Sequence, residues 1–215
     1  MKQEQFTNLD GIIFDVDGTL WDSTEPIAKV WTRAVHENTD LDIQVAPEDL
    51  RKLFGKTMTE IARALFPSLP AEKQEQVMAA CYAYENDYLE SHPGVLYEGV
   101  VETFTTLSHK NNLYIVSNCQ CGYIELFVKA AGLEHCVKDH LCFGETNVSK
   151  GRTIRLLMER NHLEHVVYVG DTKGDADACK EAQIPFIFAG YGFGDVPDAP
   201  YQIKKISDLC KMLFS

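Results

Sequence analysis

The sequence lacks a long hydrophobic run: no apolar stretch approaches the roughly 20 residues that a membrane-spanning helix needs. The first residues, Met1 to Gln5, lead into a polar stretch without the apolar segment of a signal peptide. Cations are scarce too, with 20 Lys+Arg against 32 Asp+Glu and a net charge of −12. Because a field of that sign repels phosphate backbones and anionic lipids, we expect neither nucleic-acid nor membrane binding.

The cysteines do not follow a metal-binding or disulfide pattern. There are seven, an odd number, and no export signal accompanies them. Cys119 and Cys121 are spaced C-x-C rather than C-x-x-C, and no second pair follows at zinc-ribbon spacing. We therefore expect reduced thiols in a cytoplasmic protein. The chain has 215 residues, of which 45% are hydrophobic and 24% charged, a composition that excludes disordered, collagen-like and coiled-coil classes.

Short continuous apolar runs alternate with helical patterns along most of the chain. Runs of this kind predict strands that are buried on both faces of a parallel sheet. The predicted strands are 9–16, 113–116, 166–169 and 185–189, with a short fifth at 141–143. Helical patterns cover about 99–110, 122–131, 150–161 and 174–183. This order predicts an α/β fold with a doubly wound parallel sheet.

The interval between the first two strands is too long for one crossover helix. Residues 23–91 have helical periodicity throughout, and prolines and a glycine divide them into about four helices. We predict an inserted helical domain at 22–94 and an α/β core formed by 1–21 and 95–215. The two connections between them would lie close together and could act as a hinge.

Polar side chains follow the predicted strands at the points where the strands end. Ligand sites in open α/β sheets lie at this carboxyl edge. A single aspartate there could be a turn former or, at position 175, a helix N-terminal residue. Several strand ends with chemically matched groups favour a site. The groups are Asp15 and Asp17, Ser117 and Asn118, Lys150, and Asp171 and Asp175.

Crowded carboxylates repel one another and raise each other's pKa unless a cation lies between them. Asp15 and Asp17 are two residues apart and would face the same side of an extended backbone. A hard divalent cation with oxygen ligands would stabilise such a cluster, and Mg²⁺ suits a site that handles phosphate. The sequence therefore predicts Mg²⁺ as the cofactor.

The chain resembles the haloacid dehalogenase superfamily of phosphotransferases. The resemblance rests on D-x-D-G-T-L at 15–20, S-N at 117–118, Lys150, and G-D-x-x-x-D at 170–175, which occur in the family's order. It implies a Rossmann-like core with an inserted helical cap, in the branch of phosphoglycolate phosphatase and β-phosphoglucomutase. The implied activity is Mg²⁺-dependent hydrolysis of a small phosphorylated metabolite, which we expect a monomer to perform.

The resemblance also implies roles for individual residues. Asp15 would attack phosphorus and form an aspartyl phosphate, while Asp17 would protonate the leaving group and then activate water. Ser117 and the N–H group of Asn118 would hold phosphoryl oxygens, and Lys150 would offset their charge.

The metal ligands implied by the family are the carboxylates of Asp15 and Asp171 and the main-chain carbonyl of Asp17. Asp175 would bind the metal directly or hold a metal-bound water. Lys150 is followed by Gly151 where the family often has proline, which alters the local backbone but keeps the amine.

The segment 54–60 resembles the substrate-specificity loop of the family's cap. Lys56 would reach the open side of the site and meet an anionic leaving group. The same segment contains Thr57-x-x-Glu60, a helix capping box, and the two interpretations are compatible. The glycine-rich segment 190–194 has no helix pattern after it, so a loop beside the site is favoured over a dinucleotide site.

Two other functions stay open at this stage. A β-phosphoglucomutase-like phosphohexomutase would use the same core residues, but a histidine of the first cap helix in those relatives corresponds to Ile27 here. The nearest histidine along the helix is His36, about 13 Å further on at 1.5 Å per residue. A catalytically idle binding or regulatory protein is the second alternative, although all four motifs are filled.

Overall fold

The structure is a computed structural model that describes Phe6 and residues 8–214. In chain order the strands are β1 (Gly11–Phe14), β2 (Trp21–Asp22), β3 (Val95–Leu96), β4 (Asn112–Ser117), β5 (Val137–Cys142), β6 (Val166–Gly170), β7 (Phe186–Ala189) and β8 (Gln202–Ile203). The helices are α1 (Thr24–Asn38), α2 (Pro47–Leu53), α3 (Met58–Leu65), α4 (Ala71–Leu89), α5 (Val100–Ser108), α6 (Tyr123–Ala131), α7 (Phe143–Thr146), α8 (Lys150–Asn161), α9 (Lys173–Ala182) and α10 (Asp208–Phe214).

The main sheet has six strands in the order β5-β4-β1-β6-β7-β8, and all of its strand pairs are parallel. β1 lies between β4 and β6, so the carboxyl ends of these three strands meet at one place. Every residue of β1, β6 and β7 is buried, which explains why these strands are continuous apolar runs rather than alternating ones. The predicted doubly wound α/β fold is confirmed.

The fifth predicted strand has the wrong bounds. We expected residues 141–143, but β5 begins at Val137, and Phe143 starts the short helix α7. β5 lies at the edge of the sheet, and Lys138 to His140 are exposed or half-buried. An edge strand needs no continuous apolar run, so its first four residues left no apolar signal in the sequence.

The segment between β2 and β3 folds into four helices, α1 to α4, in agreement with the number expected. α1 packs mainly against α4. Trp31 of α1 is buried and meets the ring of Tyr82 on α4 edge to face, with ring centroids 5.8 Å apart. The buried residues of these helices belong to the same apolar cluster as Phe14 and Phe104 of the α/β part.

The two connections to the helical segment lie side by side. β2 and β3 form an antiparallel pair in which Trp21 is opposite Leu96 and Asp22 is opposite Val95. The division into a core and a domain at 22–94 stays a prediction. The predicted core includes residues 1–5, 7 and 215, which lie outside the described residues. The expected absence of a signal peptide rests on residues 1–5, which also lie outside the described residues. Among the described helices, none combines the length and apolarity needed to cross a bilayer.

Candidate active site

The predicted site residues meet at the carboxyl edge of the sheet. Asp15 follows β1, Ser117 ends β4 and Asp171 follows β6, on three neighbouring strands. Lys150 and Asp175 approach from the first turns of α8 and α9. All five side chains are buried. The topology therefore brings together groups that are up to 160 residues apart in the sequence.

Lys150 forms a buried ion pair with two aspartates. Its Nζ lies 2.8 Å from Asp15 Oδ1 and 2.6 Å from Asp175 Oδ1. Burial lowers the pKa of Lys150, but the two carboxylates outweigh it and raise that pKa above the usual value. Lys150 is therefore a permanent ammonium that touches the predicted nucleophile.

The carboxylates still outnumber the cation. Burial raises the pKa of Asp15 to about 7, although Lys150 partly offsets it. Burial, with Asp175 and Asp15 as neighbours, raises the pKa of Asp171 well above its usual value. One carboxylate oxygen from each of these three aspartates lies within 4.8 Å of the others. A buried set of oxygens with surplus negative charge fits a hard divalent cation.

The three aspartates differ in how many of their acceptor positions are used. Asp175 accepts from Lys150, and its Oδ2 accepts from the N–H and hydroxyl groups of Thr172 at 2.9 and 2.6 Å, forming the capping box of α9. Asp171 accepts from Thr19 Oγ1 at 3.2 Å and from the Phe193 N–H at 2.7 Å, one bond to each oxygen. Asp15 and Asp171 thus keep more free lone pairs than Asp175.

Asp17 lies in a separate hydrogen-bond network. Its Oδ1 accepts from Tyr123 at 2.6 Å, from Ser23 at 2.7 Å and from Trp21 Nε1 at 3.1 Å. Burial raises the pKa of Asp17 to about 6, although these donors lower it. A carboxyl group in this range can both give and take a proton near neutral pH. Sequence reasoning missed Tyr123, because nothing in its local pattern links it to position 17.

Asn118 connects the sheet edge to the helical segment. Its Nδ2 donates to the carbonyl oxygen of Gly55 at 2.9 Å, in the loop between α2 and α3. Lys56, the next residue in that loop, is exposed and lines the same cavity as Asp15. The capping box also forms, since the Thr57 N–H donates to Glu60 Oε2 at 2.8 Å and Thr57 Oγ1 accepts from the Glu60 N–H. Both features expected of this segment are therefore compatible.

The glycine-rich loop 190–194 lies against Asp171. Besides the bond from Phe193, the Tyr191 hydroxyl donates to the Thr19 carbonyl at 2.8 Å. A Cβ atom on Gly192 would collide with the Asp171 side chain and the Gly18 carbonyl, so this position needs glycine.

A cavity of about 40 Å³ lies between the sheet edge and the helical segment. This volume has room for a few water molecules. The carboxylates of Asp15 and Asp17 and the hydroxyl of Ser117 lie on the core side. The helical segment contributes the other wall, which is formed by Trp31, Phe54, Gly55, Lys56, Met58, Ile61, Tyr82 and Glu85.

These features define a class of protein: a doubly wound α/β chain with a helical insertion after its first strand and a buried acidic site at the sheet edge. The family model of haloacid dehalogenase-like hydrolases matches residues 12–189. The chain therefore belongs to that family, as its four motifs predicted, and the prediction of a hydrolytic enzyme of this superfamily is confirmed.

Individual relatives agree with this assignment. The chain is 23% identical to a phosphoglycolate phosphatase from Shigella boydii, over 97% of this chain and 94% of the relative. It is 24% identical to a phosphoglycolate phosphatase from Rhodobacter capsulatus, over 92% of each chain. These relatives support the predicted branch.

Solved structures share the fold. A haloacid dehalogenase-like hydrolase from Bacteroides fragilis superposes with a TM-score of 0.81 at 20% identity, over 94% of this chain and all of the other. A chain from Haemophilus somnus, described as a predicted phosphoglycolate phosphatase, has a TM-score of 0.82 at 19% identity, over 96% and 98% of the two chains.

Proposed function

We propose that this protein is a Mg²⁺-dependent phosphatase that hydrolyses a small phosphorylated metabolite through an aspartyl phosphate. The observation that carries the proposal is the buried contact between Lys150 and Asp15 beside the cavity. The lysine offsets negative charge where a phosphoryl group would meet the carboxylate. An isolated turn-forming aspartate would need neither the burial nor the cation.

Two proton transfers complete the proposed reaction. A carboxylate oxygen of Asp15 attacks phosphorus, the ester P–O bond breaks, and Asp17 gives its proton to the departing oxygen. Asp17 then takes a proton from a water molecule that attacks phosphorus and releases Asp15 and inorganic phosphate. The Ser117 hydroxyl and the Asn118 N–H would hold phosphoryl oxygens. The network of Ser23 and Tyr123 fixes the Asp17 side chain for both transfers.

Asp15, Asp171 and the carbonyl oxygen of Asp17 would hold the Mg²⁺ ion. The free acceptor positions of Asp15 and Asp171 support this set, whereas Asp175 is already engaged by Lys150 and Thr172. When bound, Mg²⁺ would neutralise part of the charge on the phosphoryl group. Asp175 then serves to position Lys150 or to hold a metal-bound water.

We further propose that residues 22–94 act as a cap that closes over the site. The paired connections β2 and β3 and the bond from Asn118 to Gly55 support this role. Lys56 would lie over the cavity mouth, where its charge attracts anionic substrate. We also propose a cytoplasmic monomer, and the seven cysteines, all free in the structure, fit a reducing compartment.

Hydrolysis is favoured over a mutase reaction by the first cap helix. Ile27 of α1 is buried among apolar side chains and has no side-chain proton to donate. His36 is exposed near the far end of the same helix. A mutase needs control over when Asp17 acts as a base, and α1 offers no such donor at the matching position.

The test is phosphate release from p-nitrophenyl phosphate with Mg²⁺, with EDTA, and with Mg²⁺ restored. We expect activity only in the first and third conditions, and full activity without metal would contradict the metal site. A second assay uses β-glucose 1-phosphate with a trace of the 1,6-bisphosphate. Glucose 6-phosphate forming faster than inorganic phosphate would show a mutase instead.

A further inference from the structure

Glu85 is a buried acid on the wall that the helical segment contributes to the cavity. It lies on α4 and is 3% exposed, and it lines the cavity together with Asp15. Its Oε2 accepts from Trp31 Nε1 at 2.6 Å, and its Oε1 accepts from Gln120 Nε2 at 2.8 Å. No step of the proposed phosphoryl transfer uses this residue.

The environment of Glu85 disfavours the ionised form of its carboxyl group. Burial, together with the charge of Asp17, raises its pKa to about 8 despite the two N–H donors. Within the described part of the chain, no lysine, arginine or histidine lies within 4.0 Å of its carboxylate. The two N–H donors do not use the whole hydrogen-bonding capacity of the carboxyl group, and because Glu85 lines the cavity, the rest can serve a ligand there.

Tyr82 lies one helical turn before Glu85, on the same face of α4. Its hydroxyl is buried and has no hydrogen-bond partner among the described residues, and its side chain lines the same cavity. Leaving such a buried hydroxyl unpaired is unfavourable. Burial raises its pKa, so the phenol keeps its proton. It is therefore a donor and acceptor with no partner among the described residues.

We propose that Glu85 and Tyr82 bind the far end of the leaving group and select a substrate that ends there in a hydrogen-bond donor, a hydroxyl or an ammonium group, rather than in a carboxylate. This inference rests on the proposed phosphatase function and names the substrate class. A hydroxyl donates to Glu85 and accepts from Tyr82 whether or not Glu85 carries a proton.

A carboxylate end group would place a second acid beside Glu85. With Glu85 ionised the two carboxylates would repel, and with Glu85 protonated they would have to share its one proton, because the ligand carboxylate has none to donate. Lys56 could attract such a group, but it is exposed, and solvent screens most of the attraction in an exposed charge pair. A hydroxyl end group therefore fits both protonation states of Glu85, whereas a carboxylate fits only the protonated one. Phosphoglycolate, the substrate in the names of the relatives from Shigella and Rhodobacter, should be a poor substrate here.

The test measures kcat/KM for three esters of equal length: 2-hydroxyethyl phosphate, phosphoethanolamine and 2-phosphoglycolate. Glycerol 3-phosphate and 3-phosphoglycerate repeat the comparison with a longer leaving group. We expect the hydroxyl or ammonium ester to exceed its carboxylate counterpart by about tenfold or more. Whichever of the first two esters is faster identifies the donor group.

Variants of Glu85 and Tyr82 test whether these two residues cause the preference. Glu85→Gln should reduce the ratio of donor ester to carboxylate ester about tenfold, and Tyr82→Phe should lower kcat/KM for the hydroxyl ester. Glu72→Gln, an exposed position on the same helix, is the control and should leave the ratio unchanged. Thermal unfolding checks that each variant folds. If a variant does not fold, the comparison of esters in the wild-type protein still tests the preference.

The outcomes separate the two proposals. Two results would overturn the proposed role of Glu85 and Tyr82 while the phosphatase proposal stands. One is a carboxylate ester that is preferred at both lengths, and the other is a ratio of donor ester to carboxylate ester that folded Glu85→Gln leaves unchanged. No phosphate release from any ester, including p-nitrophenyl phosphate with Mg²⁺, would overturn the phosphatase proposal itself.

Discussion

Asp15 and Asp17 are both aspartates in one six-residue motif, yet their surroundings give them different chemistry. Asp15 contacts the ammonium of Lys150, which favours the ionised form that a nucleophile needs and partly offsets the burial that raises the pKa of Asp15 to about 7. Asp17 accepts only from neutral donors and has a pKa raised to about 6 by burial, which suits proton transfer. The difference arises from the neighbours of each side chain, not from the residue type.

Asp15→Asn should lower kcat by about a thousandfold or more, equivalent to roughly 4 kcal/mol, because an amide cannot form the acyl phosphate. The measurement is steady-state hydrolysis of p-nitrophenyl phosphate with Mg²⁺. Asp177→Asn is a matched control, since Asp177 is an exposed aspartate of α9 that pairs with Lys173 and Lys180. Folded Asp15→Asn enzyme that keeps more than a thousandth of the wild-type kcat would eliminate Asp15 as nucleophile.

The motif residues could be predicted from the sequence because they lie at strand ends or in the first turns of the helices that follow, and match a known spacing. Tyr123, Tyr82 and Glu85 could not, since they reach the cavity from α6 and α4, where no local motif marks them. A buried glutamate on such a helix is indistinguishable from a solvated one until the packing of α4 against α1 is known. Tertiary contacts, rather than local sequence, define the wall of the cavity that faces the leaving group.

At the scale of elements, the loop between α2 and α3 is one of the contacts that join the helical segment to the site. Gly55 has a φ of 88°, accepts from Asn118 and packs against Thr172, the N-cap of α9. A Cβ atom there would lie 3.0 Å from Thr172 Cγ2 and 3.1 Å from its Oγ1. The side chain would push the loop away from the sheet edge.

Gly55→Ala should therefore lower kcat/KM by about tenfold, a change of about 1.4 kcal/mol. Gly132→Ala provides the control, because Gly132 also has a positive φ, of 68°, but nothing lies within 4 Å of its Cβ position. Both variants should lose stability from left-handed backbone strain, about 1–2 kcal/mol. Equal catalytic losses in the two variants would show that the loop contact does not matter for activity.

The sequence predicted the helices and the buried strands well and the sheet edges poorly. β1, β6 and β7 are covered on both faces, which leaves apolar runs that can be read directly. β5 and β8 lie at the two edges of the sheet, where the strands are less completely covered and do not need an apolar residue at every position. β8 has only two residues and produced no strand signal at all.

At the scale of the whole molecule, a concentration of buried acids makes stability depend on pH. The pKa values of Asp17, Asp15 and Glu85 are raised to about 6, 7 and 8 by burial, above their usual 3.8 and 4.5. At pH values between the usual and the raised pKa of each group, the folded state therefore binds more protons than the unfolded state. This stabilising contribution is fully present below about pH 4 and is lost as pH rises through 6 to 8.

The metal-free protein should thus melt at a lower temperature at pH 8.5 than at pH 6. Each kcal/mol lost corresponds to about 2–4 °C in a chain of this size. The measurement is thermal unfolding in EDTA across this range, and Mg²⁺ should raise the melting temperature most at the upper end, where the aspartates are ionised. A melting temperature that rises with pH in EDTA would show that these acids are not buried as described.

The aspartyl phosphate at Asp15 can be trapped chemically. Enzyme turning over p-nitrophenyl phosphate with Mg²⁺ is quenched in acid and reduced with borohydride, which converts an acyl phosphate, but not a free carboxylate, to the alcohol. Peptide mass spectrometry then locates the product. Reduction to homoserine at position 15 alone, absent without substrate, is the predicted result. Homoserine at another aspartate, with Asp15 unmodified in an active sample, would contradict the proposed mechanism.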